Sequence, residues 1–280
     1  MRKYNLIILA GGEDEAWCHQ YGYKTKPFLP LNGKPMLERV LQAFHASQYI
    51  DKIVVVGPKE LDQLDCMKYV HRRVSSGRSF IENLLRGIFH VKTFIYKWAF
   101  NHNGYLVSFC DAAFLTTDVI DYTINTIDKH KPCLALHYVA KETIMKGKYL
   151  GENRTFMYIA GKPYTGANIY YVHKFRFIFR VLKDLMAMRR FRKQPSKMLQ
   201  HLECEGKPFS YIEVVLSKMM KAKAKIFVSP YAEMGVDIDK PIDYELAKSM
   251  LEEDKSDCLA FDEMDLEDVC HKSDETDLEV

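Results

Sequence analysis

The chain has 280 residues, 48% of them hydrophobic and 28% charged. That is the composition of a soluble globular protein with one full core, or a core with an added lobe. No apolar run approaches the roughly 20 residues of a membrane-spanning helix, and the first, Leu6-Ile7-Ile8-Leu9, is too short for a secretory signal. The net charge of +3 conceals a division, because residues 252–280 carry 13 acidic and 2 basic side chains while the body holds 38 basic against 24 acidic; such a body favours polyanionic ligands, and such a tail screens it.

Apolar runs over 4–9, 52–57, 69–74, 104–109, 133–140, 166–172 and 225–229 predict strands. Helix-period stretches over 36–48, 59–67, 79–91, 115–130, 173–191, 195–203, 208–221 and 241–252 lie between and after them. This alternation predicts an α/β sheet with crossovers. The segment 141–165, rich in Lys, Gly and Tyr, breaks the pattern and reads as an insertion beside the site. The expected organisation is one domain over 1–252 and an acidic, mobile tail over 253–280. The seven cysteines (Cys18, Cys66, Cys110, Cys133, Cys204, Cys258 and Cys270) show no C-x-x-C spacing, which predicts reduced thiols in a cytoplasmic protein, without a disulfide framework or a zinc site. The ten histidines are dispersed, with no H-x-x-x-H pair, and there is no G-x-S-x-G elbow.

The residues that carry chemistry begin where the first strand ends, in Leu9-Ala10-Gly11-Gly12. A buried strand that stops at paired glycines leaves backbone N–H groups open to close approach by an anion; the plain alternative is a simple turn. Neither G-x-G-x-x-G nor G-x-x-x-x-G-K-[ST] is present. Lys26 follows, in a segment that closes on Gly33-Lys34-Pro35-Met36 and opens a helix. Next, Ser75-Ser76-Gly77-Arg78-Ser79-Phe80-Ile81-Glu82-Asn83 reads as a strand end, a turn and a helix start, with Ser79 and Glu82 placed as a capping box. The strand ending at Phe109-Cys110-Asp111 sets an aspartate at the carboxyl edge of the sheet, where ligands of open α/β sheets bind. Finally, Gly235-Val236-Asp237-Ile238-Asp239-Lys240-Pro241 follows the last strand, with Asp237 and Asp239 on one side of an extended chain. Asp243 reads as a helix cap.

In order and spacing these parts resemble the nucleotidyltransferases of the GT-A-like superfamily, in particular a MobA-like branch. The shared features are L-A-G-G, the lysine, G-K-P-M, the Gly77 to Asn83 segment, the mid-chain aspartate and G-V-D-I-D-x-P. Tyr164-Thr165-Gly166-Ala167-Asn168, Phe191-Arg192-Lys193-Gln194-Pro195 and Ser229-Pro230-Tyr231-Ala232-Glu233 add to the match, which covers most of 4–252. The resemblance implies a Rossmann-like GT-A fold, three-layered α/β with a mixed, mostly parallel central sheet. It implies a Mg²⁺-dependent enzyme that joins an NMP from a nucleoside triphosphate to a phosphorylated small-molecule acceptor and releases pyrophosphate. By the same resemblance Lys26 and Asp111 are catalytic. Leu9, Ala10, Gly11, Gly12, Gly77, Ser79 and Asn83 bind the nucleotide. Asp111 with Asp237 or Asp239 holds the metal, and Thr165, Gly166 and Asn168 line the acceptor side. The chain departs from the family pattern at Glu13-Asp14-Glu15, which replace a second glycine and an arginine and would repel a triphosphate unless a cation intervenes.

Two other readings stand beside this one. In the first, the fold is kept as a silent nucleotide-binding module. In the second, the basic amphipathic stretch 173–193 lies on a membrane surface. No aromatic-basic signature of nucleic-acid binding is present, and the sequence leaves the base, the acceptor and the oligomeric state open.

Overall fold

The computed structural model describes residues 3–11, 14–94, 104–146, 154–173, 197, 199–200 and 202–251. Strand β1 (Tyr4–Leu9) is buried along its whole length, as expected for a central parallel strand covered on both faces. It pairs in parallel with β4 (Ile50–Gly57) on one side and β6 (Tyr105–Phe109) on the other. β5 (Arg72–Ser75) extends the sheet beyond β4. Beyond β6, two strands run against the rest: β10 (Tyr170–Val172) is antiparallel to both β6 and β7 (Leu134–Ala140), and the strand over Lys162–Gly166 is antiparallel to β7, while β11 (Ala224–Ser229) is parallel to β7. The result is a mixed, mostly parallel sheet of nine strands.

Period-two alternation assigns the two faces. Leu6 and Ile8 of β1, Ile53 and Val55 of β4 and Leu106 of β6 face one core, together with α1 (Met36–Ala46), α3 (Thr117–His130) and the helix over 241–251. Ile7, Val54, Val56 and Val107 face the other, against α2 (Phe80–Phe94). Gly87 lets α2 approach closely, since a Cβ there would lie 2.6 Å from Ile7 Cγ2 and 3.1 Å from Val56 Cγ2. A third cluster packs α5 (Phe209–Met220) on β11 and on β8 (Met157–Ile159).

Most predicted elements are present within a few residues of their expected bounds, and the differences have physical causes. The helix expected over 59–67 is two short 3-10 turns, Lys59–Gln63 and Asp65–Tyr69, because Leu64 between them is extended (φ −84°, ψ 132°). The strand expected over 166–172 divides into β9 (Lys162–Gly166) and β10, since 167–169 leave the ladder to hold a neighbouring loop. Of the segment 141–165, residues 141–146 and 154–165 are described. They form α4 (Lys141–Lys146) and a β8–β9 hairpin turned at Ala160-Gly161, both at positive φ, the geometry of a type I′ turn. The same turn type at Asn32-Gly33 joins the two-residue strands β2 (Pro30–Leu31) and β3 (Lys34–Pro35). Of the helix expected over 195–203, residues 197, 199 and 200 are helical. The stretch 174–193 and the tail 253–280 lie outside the described residues. The described cysteines (Cys18, Cys66, Cys110, Cys133 and Cys204) are free thiols, and no described helix is long and apolar enough to cross a membrane.

Candidate active site

Three loops meet beyond the carboxyl ends of β1 and β6. Cys110 N–H donates to Leu9 O at 3.2 Å, and Ala10 N–H to Val56 O at 2.8 Å, so the chain leaving β1 stays beside the chain leaving β6. The third loop, 236–239, reaches them from the far end of the chain, with Ile238 N–H donating to Asp111 O at 3.1 Å. The aspartates expected from mid-chain and from the last helix are therefore neighbours, although 128 positions separate Asp111 from Asp239.

Their carboxylates converge on Lys26, the first residue of a 3-10 turn over Lys26–Phe28. Its Nζ donates to Asp111 Oδ2 at 2.9 Å and to Asp239 Oδ1 at 2.5 Å, and lies 3.9 Å from Glu15 Oε2. The lysine is 8% exposed. Burial pulls its pKa down, but Asp111 and Asp239 outweigh burial and hold the ammonium above the ordinary lysine range. Burial likewise raises the Asp239 carboxyl, and the charge and hydrogen bond of Lys26 more than reverse it, leaving it below the usual value. Glu15 is raised, mainly by burial.

Asp237 has a different partner. Arg154 Nη1 donates to its Oδ1 at 2.6 Å and Nη2 to its backbone carbonyl at 2.9 Å. Burial first, then the nearby Asp239 and Asp111, push the Asp237 carboxyl up to about 6 against the pull of Arg154. Asp243 accepts from Asp239 N–H at 3.1 Å and Lys240 N–H at 2.9 Å, capping the helix over 241–251 as expected. Asp111 is no helix cap, since Thr116 occupies that role for α3 and accepts from Val119 N–H.

Gly11 sits against the start of α2, where a Cβ would meet Ser76 Cβ at 2.6 Å and Asn83 Nδ2 at 3.4 Å; only glycine permits that approach without displacement. Asn83 Oδ1 accepts from Gly77 N–H at 2.5 Å, and Ser79 Oγ accepts from Glu82 N–H at 3.2 Å while Glu82 accepts from Arg78 N–H. Gly77, Ser79 and Asn83 thus shape the turn that faces Gly11; the serine half of the expected capping box is formed, while Glu82 reaches one residue further back, to Arg78 N–H. Leu9 and Ala10 are buried, and Gly12 lies outside the described residues. Of the three successive acids, Glu13 is not among the described residues, Asp14 pairs with His19, and Glu15 accepts from Trp17 Nε1 at 3.0 Å.

Thr165 and Asn168 are buried and Gly166 is exposed. Asn168 is committed to the 234–236 chain, its backbone N–H donating to Met234 O at 2.8 Å and its Nδ2 to Val236 O at 3.0 Å. Arg154 is the charged residue at the site that sequence reasoning missed; a lone arginine in an apparent insertion carries no motif. Phe80 and Phe109 were missed too. Phe80, in the first turn of α2, stacks on Phe109 with centroids 6.1 Å apart, and Phe109 meets Tyr170 edge-on.

Among the described residues no group of three or more His, Cys, Asp or Glu side chains is arranged to hold a metal alone. Asp111 and Asp239 supply two hard oxygen donors aimed at one cationic point. That number fits Mg²⁺, which is bound through one or two carboxylates and completed by water and substrate phosphates.

A parallel sheet core flanked by the reversed strands β10 and β9, with a cation-centred acid pair at its carboxyl edge, is the arrangement of a Rossmann-like nucleotidyltransferase fold. The chain belongs to the MobA-like NTP transferase family, a family of nucleotidyltransferases, whose domain model matches residues 6–222. A 2-C-methyl-D-erythritol 4-phosphate cytidylyltransferase of Clostridium perfringens is 37% identical over 68 residues, 24% of this chain and 28% of that protein, so the match spans little more than a quarter of the relative's length. A hypothetical transferase of Thermus thermophilus superposes with a TM-score of 0.70 at 24% identity, covering 87% of this chain and 100% of that one. The 4-diphosphocytidyl-2C-methyl-D-erythritol synthase of Anaerococcus prevotii gives 0.55 at 13% identity, over 90% and 96% of the two chains. These structural likenesses establish the fold.

Proposed function

We propose that the chain transfers a nucleotidyl group from a nucleoside triphosphate to a phosphorylated small-molecule acceptor. An acceptor phosphate oxygen attacks the α-phosphorus, the bond from that phosphorus to the β-bridging oxygen breaks, and pyrophosphate leaves with the bonding pair. The nucleophile is already an anion, so no general base is needed, and the work is alignment and charge neutralisation. Mg²⁺, when bound to Asp111 and Asp239, would neutralise charge on the reacting phosphates. Lys26, held between the same two carboxylates, is placed to turn its ammonium toward the phosphates and stabilise charge growing on the leaving oxygen. The Gly11 amide, and that of Gly12, would face the pyrophosphate end, and Gly77, Ser79 and Asn83 the base and ribose. Thr165, Gly166 and Asn168 would border the acceptor.

The single observation that carries this reading is the convergence of Asp111 and Asp239 on the buried Lys26 ammonium, beside a glycine that tolerates no side chain. The test begins with a thermal-shift panel of ATP, CTP, GTP and UTP with Mg²⁺, since a ligand that binds only the folded state raises its melting temperature. It continues with pyrophosphate release from the best nucleotide across a set of sugar and polyol phosphates. Binding with no release under any acceptor supports the silent module instead, and no binding at all removes both readings.

A further inference from the structure

We propose that Arg154 is a positioning residue: it clamps the 235–237 backbone so that Asp239, and not Asp237, joins Asp111 at the cation site. This rests on the cation reading above and goes beyond it by naming what aims the second carboxylate.

Residues 236–239 belong to no helix or strand, yet the carbonyls of four consecutive residues, 234–237, are held by two residues from elsewhere in the fold. Asn168 takes the carbonyls of Met234 and Val236. Arg154 takes those of Gly235 and Asp237. Met234 and Gly235 close a 3-10 turn over Ala232–Gly235 and Val236 leaves it extended, so Asn168 and Arg154 together fix the chain across its exit from that turn. The stretch then continues into Ile238 N–H, donated to Asp111 O, and Asp239 N–H, donated to Asp243. Gly235 is wedged among Ile144, Thr165 and Val139, each 3.0 Å from where its Cβ would stand. Arg154 itself has a side chain only 14% exposed, and it also occupies Asp237 Oδ1 at 2.6 Å. Its planar fork suits this multiple acceptance; a lysine offers a point charge that cannot span the carbonyls and the carboxylate together.

Asp237 and Asp239 are thus divided between two cations, one anchored by arginine for shape and one presented to lysine for chemistry. Without the guanidinium, two carbonyls and a largely buried carboxylate lose their donors together. The loop must then rearrange to find others, and Asp239 loses its aim.

Mn²⁺ alone, titrated into the full chain and followed by its electron paramagnetic resonance signal, reads the site without any activity. Arg154→Ala is expected to weaken Mn²⁺ binding by about 10-fold or more, the usual cost of losing a residue that orients a metal ligand. Millimolar ethylguanidinium should restore part of that loss in Arg154→Ala and none in Asp239→Asn. Arg154→Lys should recover little. Asp237→Asn, which keeps an oxygen for Arg154, should stay within about 3-fold of the parent, whereas Asp239→Asn should approach loss of binding. A folded Arg154→Ala that binds Mn²⁺ like the parent overturns the proposal, as does an Asp237→Asn as damaging as Asp239→Asn. If Arg154→Ala does not fold, Arg154→Lys and Asp237→Asn decide by the same criteria. A parent chain that binds no Mn²⁺ refutes the cation reading itself, a result distinct from either of the others.

Discussion

Replacing Lys26 with methionine keeps the unbranched stem, one atom shorter, and removes its charge. In the parent the ammonium is 2.9 Å from one carboxylate oxygen and 2.5 Å from another, with Glu15 at 3.9 Å. Removing one partner of a buried ion pair costs about 3–5 kcal/mol, because the other charge is left unpaired. Here the cost is smaller, since the Asp239 side chain is 56% exposed and can turn into water; about 2 kcal/mol is expected once solvent screening is allowed for. For a chain of this size that lowers the melting temperature by roughly 4–8 °C. Adding Asp239→Asn should return part of the stability, with a coupling energy of about 1–2 kcal/mol between the two positions. Millimolar Mg²⁺ should raise the melting temperature of Lys26→Met more than that of the parent, because the acid pair no longer has an internal cation to compete with. The assay is thermal and urea denaturation of the four chains of the cycle, in EDTA and in Mg²⁺. A Lys26→Met chain that melts within about 1 °C of the parent, with the same response to Mg²⁺, would show that the three side chains do not share charge, and the reasoning would fail.

Asp111→Asn and Asp239→Asn should each reduce nucleotidyl transfer by on the order of 100-fold. Asp243→Asn should keep the activity and lose no more than about 1 kcal/mol of stability; pyrophosphate release and urea titration separate these outcomes. Gly11→Ala should lose the nucleotide-induced thermal shift and cost about 1–3 kcal/mol, because its methyl group meets Ser76. His137 is buried on β7, and burial lowers its pKa from 6.5 to about 4. Its contribution to stability is therefore full above the unfolded value and is lost as pH falls from 6.5 toward 4, by about 3 kcal/mol. Asp237, raised to about 6, acts in the opposite sense: between 3.8 and 6 the folded chain holds the extra proton, so stability falls as pH rises. Urea midpoints at pH 7 and pH 4.5 for His137→Leu, in the Asp237→Asn background, should show the acid loss abolished; an unchanged loss would refute the assignment to His137.

What was legible in the sequence follows a physical rule. β1, β4 and β6 were readable because nearly continuous burial forces apolar runs, β7 and β11 because their alternating burial still leaves mostly apolar strand-forming residues, and α1, α2, α3 and α5 because one-sided burial forces a helical period. The β8–β9 hairpin was not, because its turn is Ala160-Gly161, whose positive φ at alanine is written nowhere in the usual turn residues. Asn32-Gly33 carries the standard hairpin signal, but between strands of only two residues each, too short to show an alternating pattern. At the site, Lys26, Asp111 and Asp239 were each visible at the end of a strand or the start of a helix. Their meeting was not, since hydrogen bonds such as Ile238 to Asp111 join parts of the chain that no local pattern connects. Arg154 was invisible for the same reason: its partners are mainly backbone carbonyls, which every residue possesses.

The successive acids Glu13-Asp14-Glu15 raise the sharpest objection to a triphosphate site, and the structure bears on it through partners rather than through distance. Asp14 is turned to His19 on the neighbouring 3-10 turn, and Glu15 is drawn to Trp17 and toward Lys26. Trp17 is in turn packed against Tyr21 and Tyr244, the last on the helix over 241–251. Tyr244 OH donates to Pro30 O at 2.6 Å, close behind Lys26. The acidic segment is therefore tied by aromatic contacts to the same helix whose start presents Asp239. Here Lys26 is the described cation at the centre, held charged by Asp111 and Asp239, with Glu15 3.9 Å away. The loop that departs most from the expected pattern is thus packed onto the helix that follows Asp239, beside the Lys26 cluster.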